Sequence, residues 1–263
     1  MKLTFGFTPC PNDAFAFHAL VHGLVPAPLE VEPVLLDIEQ LNRRASGAEL
    51  QLTKLSFGAA AAAGERYRLL RSGAALGRGV GPLVVAREPR SLEEAAAGRV
   101  AVPGRETTAF LLLRLAAPSL GEAVELRYDR ILGGVIAGEV DAGLIIHESR
   151  FTYGEHGLVS VADLGEWWEG ETALPVPLAG IFARNDLDPG LVDVAEAAIR
   201  ASVEYAFAHP EASRDYVRSL AHELSDEVCA AHIALYVNEH SVDIGAEGLT
   251  AIDRLIGRAT AAA

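Results

Sequence analysis

A histidine at the end of an apolar run is the sharpest chemical signal in this sequence. His147 closes the segment Ala142-Gly-Leu-Ile-Ile146 and is followed by Glu148-Ser149-Arg150. An imidazole leaving a buried strand, with an ordinary pKa near ~6.5, can take or give a proton close to neutrality. The competing reading is a histidine merely hydrogen-bonded at a strand end. Three other stretches combine polar side chains with turns or helix starts: Thr8-Pro-Cys-Pro-Asn-Asp13, Thr53-Lys-Leu-Ser56 and Gly104-Arg-Glu-Thr-Thr-Ala109. In the first, Pro9 and Pro11 fix a rigid turn, and Asn12 and Asp13 either cap a helix or meet a ligand. Cys10 has no base beside it in sequence, which weakens a nucleophilic reading. Lys54, next to a helix start, suits a carboxylate, because an ammonium and free N–H groups both favour an anion. Ser56 is either part of that contact or only an N-cap. Thr107 and Thr108 read as an anion-binding helix start or as ordinary caps. Asn42, in the helix after the second strand, is a weaker candidate, read first as a solvated position.

Several other features carry less. His18, His22, His156, His209, His222, His232 and His240 lie mostly on expected helices or loops and read as structural. His18 and His22 have the spacing of a zinc pair but lack a third ligand and a catalytic glutamate, so no metal is expected. The glycine-rich stretch Gly73 to Gly81 lacks the Gly-Lys-Ser/Thr ending of a phosphate loop. Trp167 and Trp168 read as packing residues.

Strands alternating with helices must position these loops. Strands are expected at 3–7, 29–35, 50–54, 67–71, 99–102, 124–128 and 140–146. Helices are expected at 13–21, 37–47, 56–64, 91–98, 107–116 and 129–138. Asp37 with Gln40, and Ser91 with Glu94, form capping boxes, and Asp129 is the expected cap of the last of these helices. From Leu191 the chain reads as helical, at 191–208, 211–222, 226–239 and 247–259, with Ser225 capping the third. Alternating βα units imply an α/β protein with parallel sheets covered on both faces. The second βα series looks inserted between two extended crossings, 82–87 and 176–183. That gives two lobes joined by a double hinge: 1–86 plus 178–263, and 87–177. The C-terminal helices return to the first lobe. Ligands in such sheets sit at the carboxyl ends of strands, so the four loops, two from each lobe, are expected to share one cleft.

Composition bounds the partners. With 22 Lys+Arg against 36 Asp+Glu, the formal charge is −14 over 263 residues. That argues against nucleic acid, which needs cations to displace phosphate counterions, and against an acidic membrane surface. Half the residues are hydrophobic and the mean hydropathy is +0.22, so a sizeable core rather than disorder is expected. Two cysteines, Cys10 and Cys229, make no disulfide framework. The start of the chain does not read as a signal peptide and no apolar run reaches the ~20 residues of a membrane span. A cytoplasmic protein is expected; its length and composition permit a homodimer. Lys54, with Arg78 or Arg105 and the helix N-termini, is where positive potential for an anion is expected.

Five segments together resemble the 1,4-dihydroxy-6-naphthoate synthase family of the futalosine route to menaquinone. They are Pro9-Cys-Pro-Asn-Asp13, Leu52-Thr-Lys-Leu-Ser56, the stretch from Ala75 to Ala86, Val102-Pro-Gly-Arg105 with Thr107-Thr-Ala109, and Gly143 to Tyr153. The resemblance runs nearly end to end. It implies a type 2 periplasmic-binding-protein fold and a lyase that releases the dihydroxynaphthoate from cyclic dehypoxanthinylfutalosine, an aromatic carboxylate, without a cofactor. It implies His147 as proton acceptor, Lys54, Leu55 and Ser56 on one wall of the pocket, and Thr108, Ala109 and Phe110 on the other. Phe110, Phe57 and Ala14 stand where relatives carry Tyr, Tyr and Thr, so no hydroxyl contact carries over there. The reading from another class is a non-catalytic solute-binding protein for a small aromatic or organic anion.

Overall fold

The computed structural model describes residues 2–221 and 225–261. Its first elements are β1 (Lys2–Phe7), α1 (Pro11–Val21), β2 (Glu30–Leu35), α2 (Ile38–Ala45), β3 (Leu52–Ser56), α3 (Phe57–Ala63), β4 (Tyr67–Leu69) and β5 (Ala75–Gly77). The middle of the chain forms β6 (Leu83–Ala86), α4 (Leu92–Ala96), β7 (Arg99–Val102), α5 (Thr108–Ala116), β8 (Glu122–Glu125), α6 (Tyr128–Ile136), β9 (Ala142–Ile145), α7 (Ser149–Thr152), β10 (Val159–Asp163) and α8 (Leu164–Thr172). The long strand β11 (Val176–Arg184) follows, then α9 (Pro189–Ala208), α10 (Arg214–Leu220), α11 (Asp226–Tyr236), α12 (Glu239–Val242) and α13 (Gly245–Ala261).

These strands make two sheets. One has the order β2-β1-β3-β11-β4, with β5 also paired to β11; the other has the order β10-β6-β9-β7-β8. The βα-connected strands are parallel as expected: β1 with β2 and β3, and β7 with β8 and β9. The sheets are nonetheless mixed. β11 runs antiparallel to β3, β4 and β5, and β6 runs antiparallel to β9 and β10. Both β6 and β11 enter their sheet from the other one, without a covering crossover helix, so nothing forces the parallel direction on them.

The segments read as crossings are therefore strands themselves. Leu83–Ala86 belongs to the five-stranded sheet, although the expected first segment, 1–86, included it. The chain passes between sheets over the shorter stretches 78–82 and 173–175. Helix α1 starts at Pro11 with Cys10 as N-cap, so Asn12 and Asp13 are not caps. Proline suits the first helical position because its missing N–H is not needed there. Both expected capping boxes form, and Ser225 caps α11. Strand β8 begins two residues earlier than expected, and α6 is entered from Arg127 rather than Asp129, which pairs with Arg127 instead. His222, the end of the expected helix 211–222, and Ala262–Ala263 lie outside the described residues.

Packing explains why the C-terminal helices matter to the site. Phe5, Phe7 and Phe17 form a buried aromatic triangle with centroids 5.0–5.4 Å apart, beneath α1. Helices α9, α10 and α11 pack against α1, and α13 packs against α3 and β11. They cover the six-stranded sheet and bring α11 to the junction between the sheets.

Candidate active site

A buried ion pair forms the floor of the site. Lys54, in β3, is 4% exposed, and its Nζ bonds Asp13 Oδ1. Asp13 is 2% exposed, accepts from the Thr8 N–H at 3.0 Å and Oγ1–H at 2.6 Å, and takes a third bond from Asn12 Nδ2 at 2.8 Å. A buried carboxylate this well satisfied can hold a lysine in place, where an unpaired charge would be very costly. Lys54 also lines the cavity and keeps further N–H donors.

Above it, two helix starts meet. Ser56 ends β3, and Asn42 of α2 holds it from both sides: Asn42 Oδ1 accepts from the Ser56 N–H at 2.9 Å, and Asn42 Nδ2 donates to Ser56 Oγ at 3.1 Å. The Ser56 hydroxyl does not cap α3, so its proton can face a ligand. Thr108 Oγ1 accepts from the Gly58 N–H at 3.0 Å and donates to Leu178 O at 2.6 Å, tying α5 to both α3 and β11. A Cβ on Gly58 would stand 2.8 Å from Thr107 O, so only glycine allows this approach. Thr107 caps α5 by accepting from the Phe110 N–H. The Thr107 hydroxyl also donates to Gly104 O. Both threonine hydroxyls are thus committed to structure. The backbone N–H groups of Thr108 and Ala109 belong to the first turn, whose amides have no partner within the helix, and are what α5 can offer an anion.

His147 enters from the five-stranded sheet, just after β9, with φ of +59°. That left-handed conformation is uncommon for a residue with a side chain and turns the imidazole out of the strand line. Its Nδ1 lies 3.5 Å from the Sγ of Cys10, which comes from the loop after β1. The ring of Tyr128 meets it edge-on at 4.8 Å. Burial, with the Lys54 ammonium nearby, lowers the His147 pKa to about 4. Part of the ring still faces the cavity, but protein surrounds it closely enough that the imidazolium is disfavoured. Burial pushes the Cys10 thiol up, so it stays protonated. Farther along, Arg150 pairs with Asp163 at 2.7 Å and also bonds the Gly81 carbonyl, anchoring the His147 loop to one of the crossings.

The cavity encloses about 600 Å³, counting the part open to solvent. The structure brings together His147, Lys54, Ser56, Thr107, Thr108, Ala109 and Asn12. It leaves three named residues off the wall. Leu55 points into the core, alternating with Lys54 and Ser56 along the strand. Phe110 is buried on α5, with Arg105 over its ring. Asn42 is 2% exposed rather than solvated, and acts through Ser56. Neither extra arginine reaches the cavity: Arg78 bonds Glu247 at 2.8 Å and Arg105 bonds Ala123 O at 2.8 Å. The positive potential there comes from Lys54 and the amides alone among the described residues. Thr8, Ile38, His232 and Tyr236 line the cavity without having been singled out as site residues. The one sequence signal for the last two was their spacing of four on one helix face. Among the described residues no group of three or more His, Cys, Asp or Glu side chains is placed to hold a metal ion. No helix among them is long and apolar enough to cross a membrane.

Two mixed sheets, crossed twice by the chain and both contributing to one cavity, define a two-lobed protein of the periplasmic-binding-protein type. The same fold appears in the alkanesulfonate-binding protein of Xanthomonas axonopodis pv. citri, with TM-score 0.74 at 16% identity over 99% of this chain and 93% of that one. A closer solved structure, from Archaeoglobus fulgidus, is 40% identical with TM-score 0.94, covering 99% of this chain and 97% of that one. The 1,4-dihydroxy-6-naphthoate synthase of Thermus thermophilus is 58% identical over 98% of this chain and 94% of its own length. That of Streptomyces coelicolor is 44% identical over 98% of this chain and 93% of its own length. Residues 3–261 match the family described as menaquinone biosynthesis, and the chain belongs to that family.

Proposed function

We propose that this cavity performs a lyase reaction, converting cyclic dehypoxanthinylfutalosine to 1,4-dihydroxy-6-naphthoate, with His147 as the proton acceptor. The synthases of Thermus and Streptomyces carry that product in their names. The observation that carries the reading is a neutral, deeply set imidazole facing a cavity whose floor holds a lysine and whose roof holds free helix amides.

The substrate is a spiro-fused ring ketone with an aromatic carboxylate. His147 takes the proton next to the ketone, the C–H electron pair becomes an enolate, and the sugar-derived fragment leaves as the ring becomes aromatic. For this, Nε2 must be the free base. The tautomer in which Nδ1–H donates to Cys10 Sγ provides it. A base with a pKa near 4 is weak on its own. A bound anion raises it again, because an opposite charge favours the imidazolium. Lys54, Ser56 and the Thr108 and Ala109 amides supply donors for the carboxylate and for the developing oxyanion. Closure of the two lobes over the substrate excludes water. The ligand is thus a small aromatic carboxylate, and a cytoplasmic location suits a biosynthetic step.

Incubating the purified protein with cyclic dehypoxanthinylfutalosine should release the naphthoate, detected by mass spectrometry. His147→Ala should lower turnover about 10²–10⁴-fold, the usual worth of a general base, with substrate still bound. Near-normal turnover in that variant would remove His147 from its role. Tight binding by the native protein without any product would point to a solute-binding protein instead.

A further inference from the structure

His232 sits on α11 and is 1% exposed, yet neither of its ring nitrogens has a hydrogen-bond partner among the described residues. Buried polar groups are nearly always satisfied, and each exception asks for a reason. Here the ring lines the same cavity as His147. It lies nearly parallel to the His147 ring, with centroids 6.3 Å apart, and is flanked by Tyr236 at 4.7 Å and Phe151 at 6.2 Å. Aromatic neighbours therefore fix the plane of the imidazole while leaving its polar edge unused.

We propose that His232 is a substrate-binding residue that takes the hydroxylated, sugar-derived part of the substrate. This rests on the lyase reading above and extends it to substrate orientation. Burial, with His147 and Lys54 nearby, holds His232 far on the neutral side. A neutral imidazole presents one donor and one acceptor. That pair matches a hydroxyl-bearing fragment, which can both give and accept a hydrogen bond. It does not match a carboxylate, which has nothing to donate to the acceptor nitrogen. The carboxylate has better partners in Lys54, Ser56 and the start of α5. The two ends of the substrate are thus sorted by chemistry: the anionic ring goes to the first-sheet lysine and helix amides, and the departing fragment goes to α11. His147, stacked beside His232, is left facing the carbon between them.

The test uses two ligands that differ by that fragment. The substrate carries it; the product naphthoate does not. His232→Leu removes both ring nitrogens while keeping an apolar bulk, and His232→Gln restores a donor and an acceptor. His232→Leu should lower kcat/KM for the substrate about tenfold to a hundredfold, the loss of one or two hydrogen bonds. It should leave the Kd of the product naphthoate within about twofold, on that same account. His232→Gln should recover most of the loss. The Leu variant should melt no lower than the native protein, since it removes idle buried polar atoms. Equal losses for substrate and product, no loss at all, or a Gln variant no better than Leu would each overturn the assignment. If the native protein does not turn over the substrate, the lyase reading fails and this inference falls with it. If the native protein is active and only these contrasts fail, the inference alone is wrong.

Discussion

Cys10 Sγ and His147 Nδ1 lie 3.5 Å apart although their loops leave different sheets, Cys10 after β1 and His147 after β9. The imidazole is therefore oriented by the opposite side of the cleft. The placement of the ring thus depends on how the two sheets meet.

Cys10→Ala should lower kcat about tenfold and change KM little, because it removes one weak hydrogen bond that sets the ring and no substrate contact. Cys10→Ser, which keeps a small polar partner, should retain most activity. Steady-state kinetics on both variants provide the check. A large rise in KM for Cys10→Ala would show that the thiol meets the substrate instead.

Lys54 and Asp13 should behave as a buried pair rather than as independent charges. Lys54→Met alone strands the Asp13 carboxylate and should cost about 3–5 kcal/mol of stability. Adding Asp13→Asn should recover much of that stability but not the binding of an anionic ligand. Thermal or denaturant unfolding, alongside naphthoate titration, separates the two effects.

The pH dependence follows from the direction of the His147 shift. With His147 as the proposed proton acceptor, the active form is the neutral imidazole, so kcat/KM should stay level down to about pH 5 and fall through the free-enzyme value of about 4. Stability should respond earlier. In the unfolded chain histidine binds its proton near ~6.5. The native state resists until about 4, so stability should be lost as pH falls between these values, and the contribution should be level above ~7. His232, also held neutral, adds in the same direction. Cys10, Tyr128, Lys54 and Asp13 face or neighbour the ring; burial keeps the Tyr128 phenol, like the Cys10 thiol, protonated over this range. Melting temperatures at several pH values, for the native protein and His147→Gln, provide the measurement. A kcat/KM limb centred near 6.5 would contradict the buried, lysine-facing site.

Local chemistry in the sequence reached far. The capping boxes at Asp37 and Ser91, the apolar run into His147 and the loops around Lys54 and Thr108 were all legible, because each depends on neighbours a few residues away. Two kinds of feature were not. Strand direction for β6 and β11 depends on how the chain passes between sheets, which no local pattern encodes. His232 and Tyr236 reach the cavity only because α11 packs on α1, more than 200 residues earlier in sequence. Asn42 looked solvated because its helix is amphipathic; its true surroundings are set by β3, which the helix precedes.

The order of the chain has a consequence for the protein while it is being made. The cavity wall draws on residues from Thr8 to Tyr236. A nascent chain that has already emitted both sheets still lacks α11, and with it one side of the chamber. His147 and Lys54 thus leave the ribosome well before the helix that carries His232 and Tyr236, and the chamber around them is walled on that side only once α11 docks.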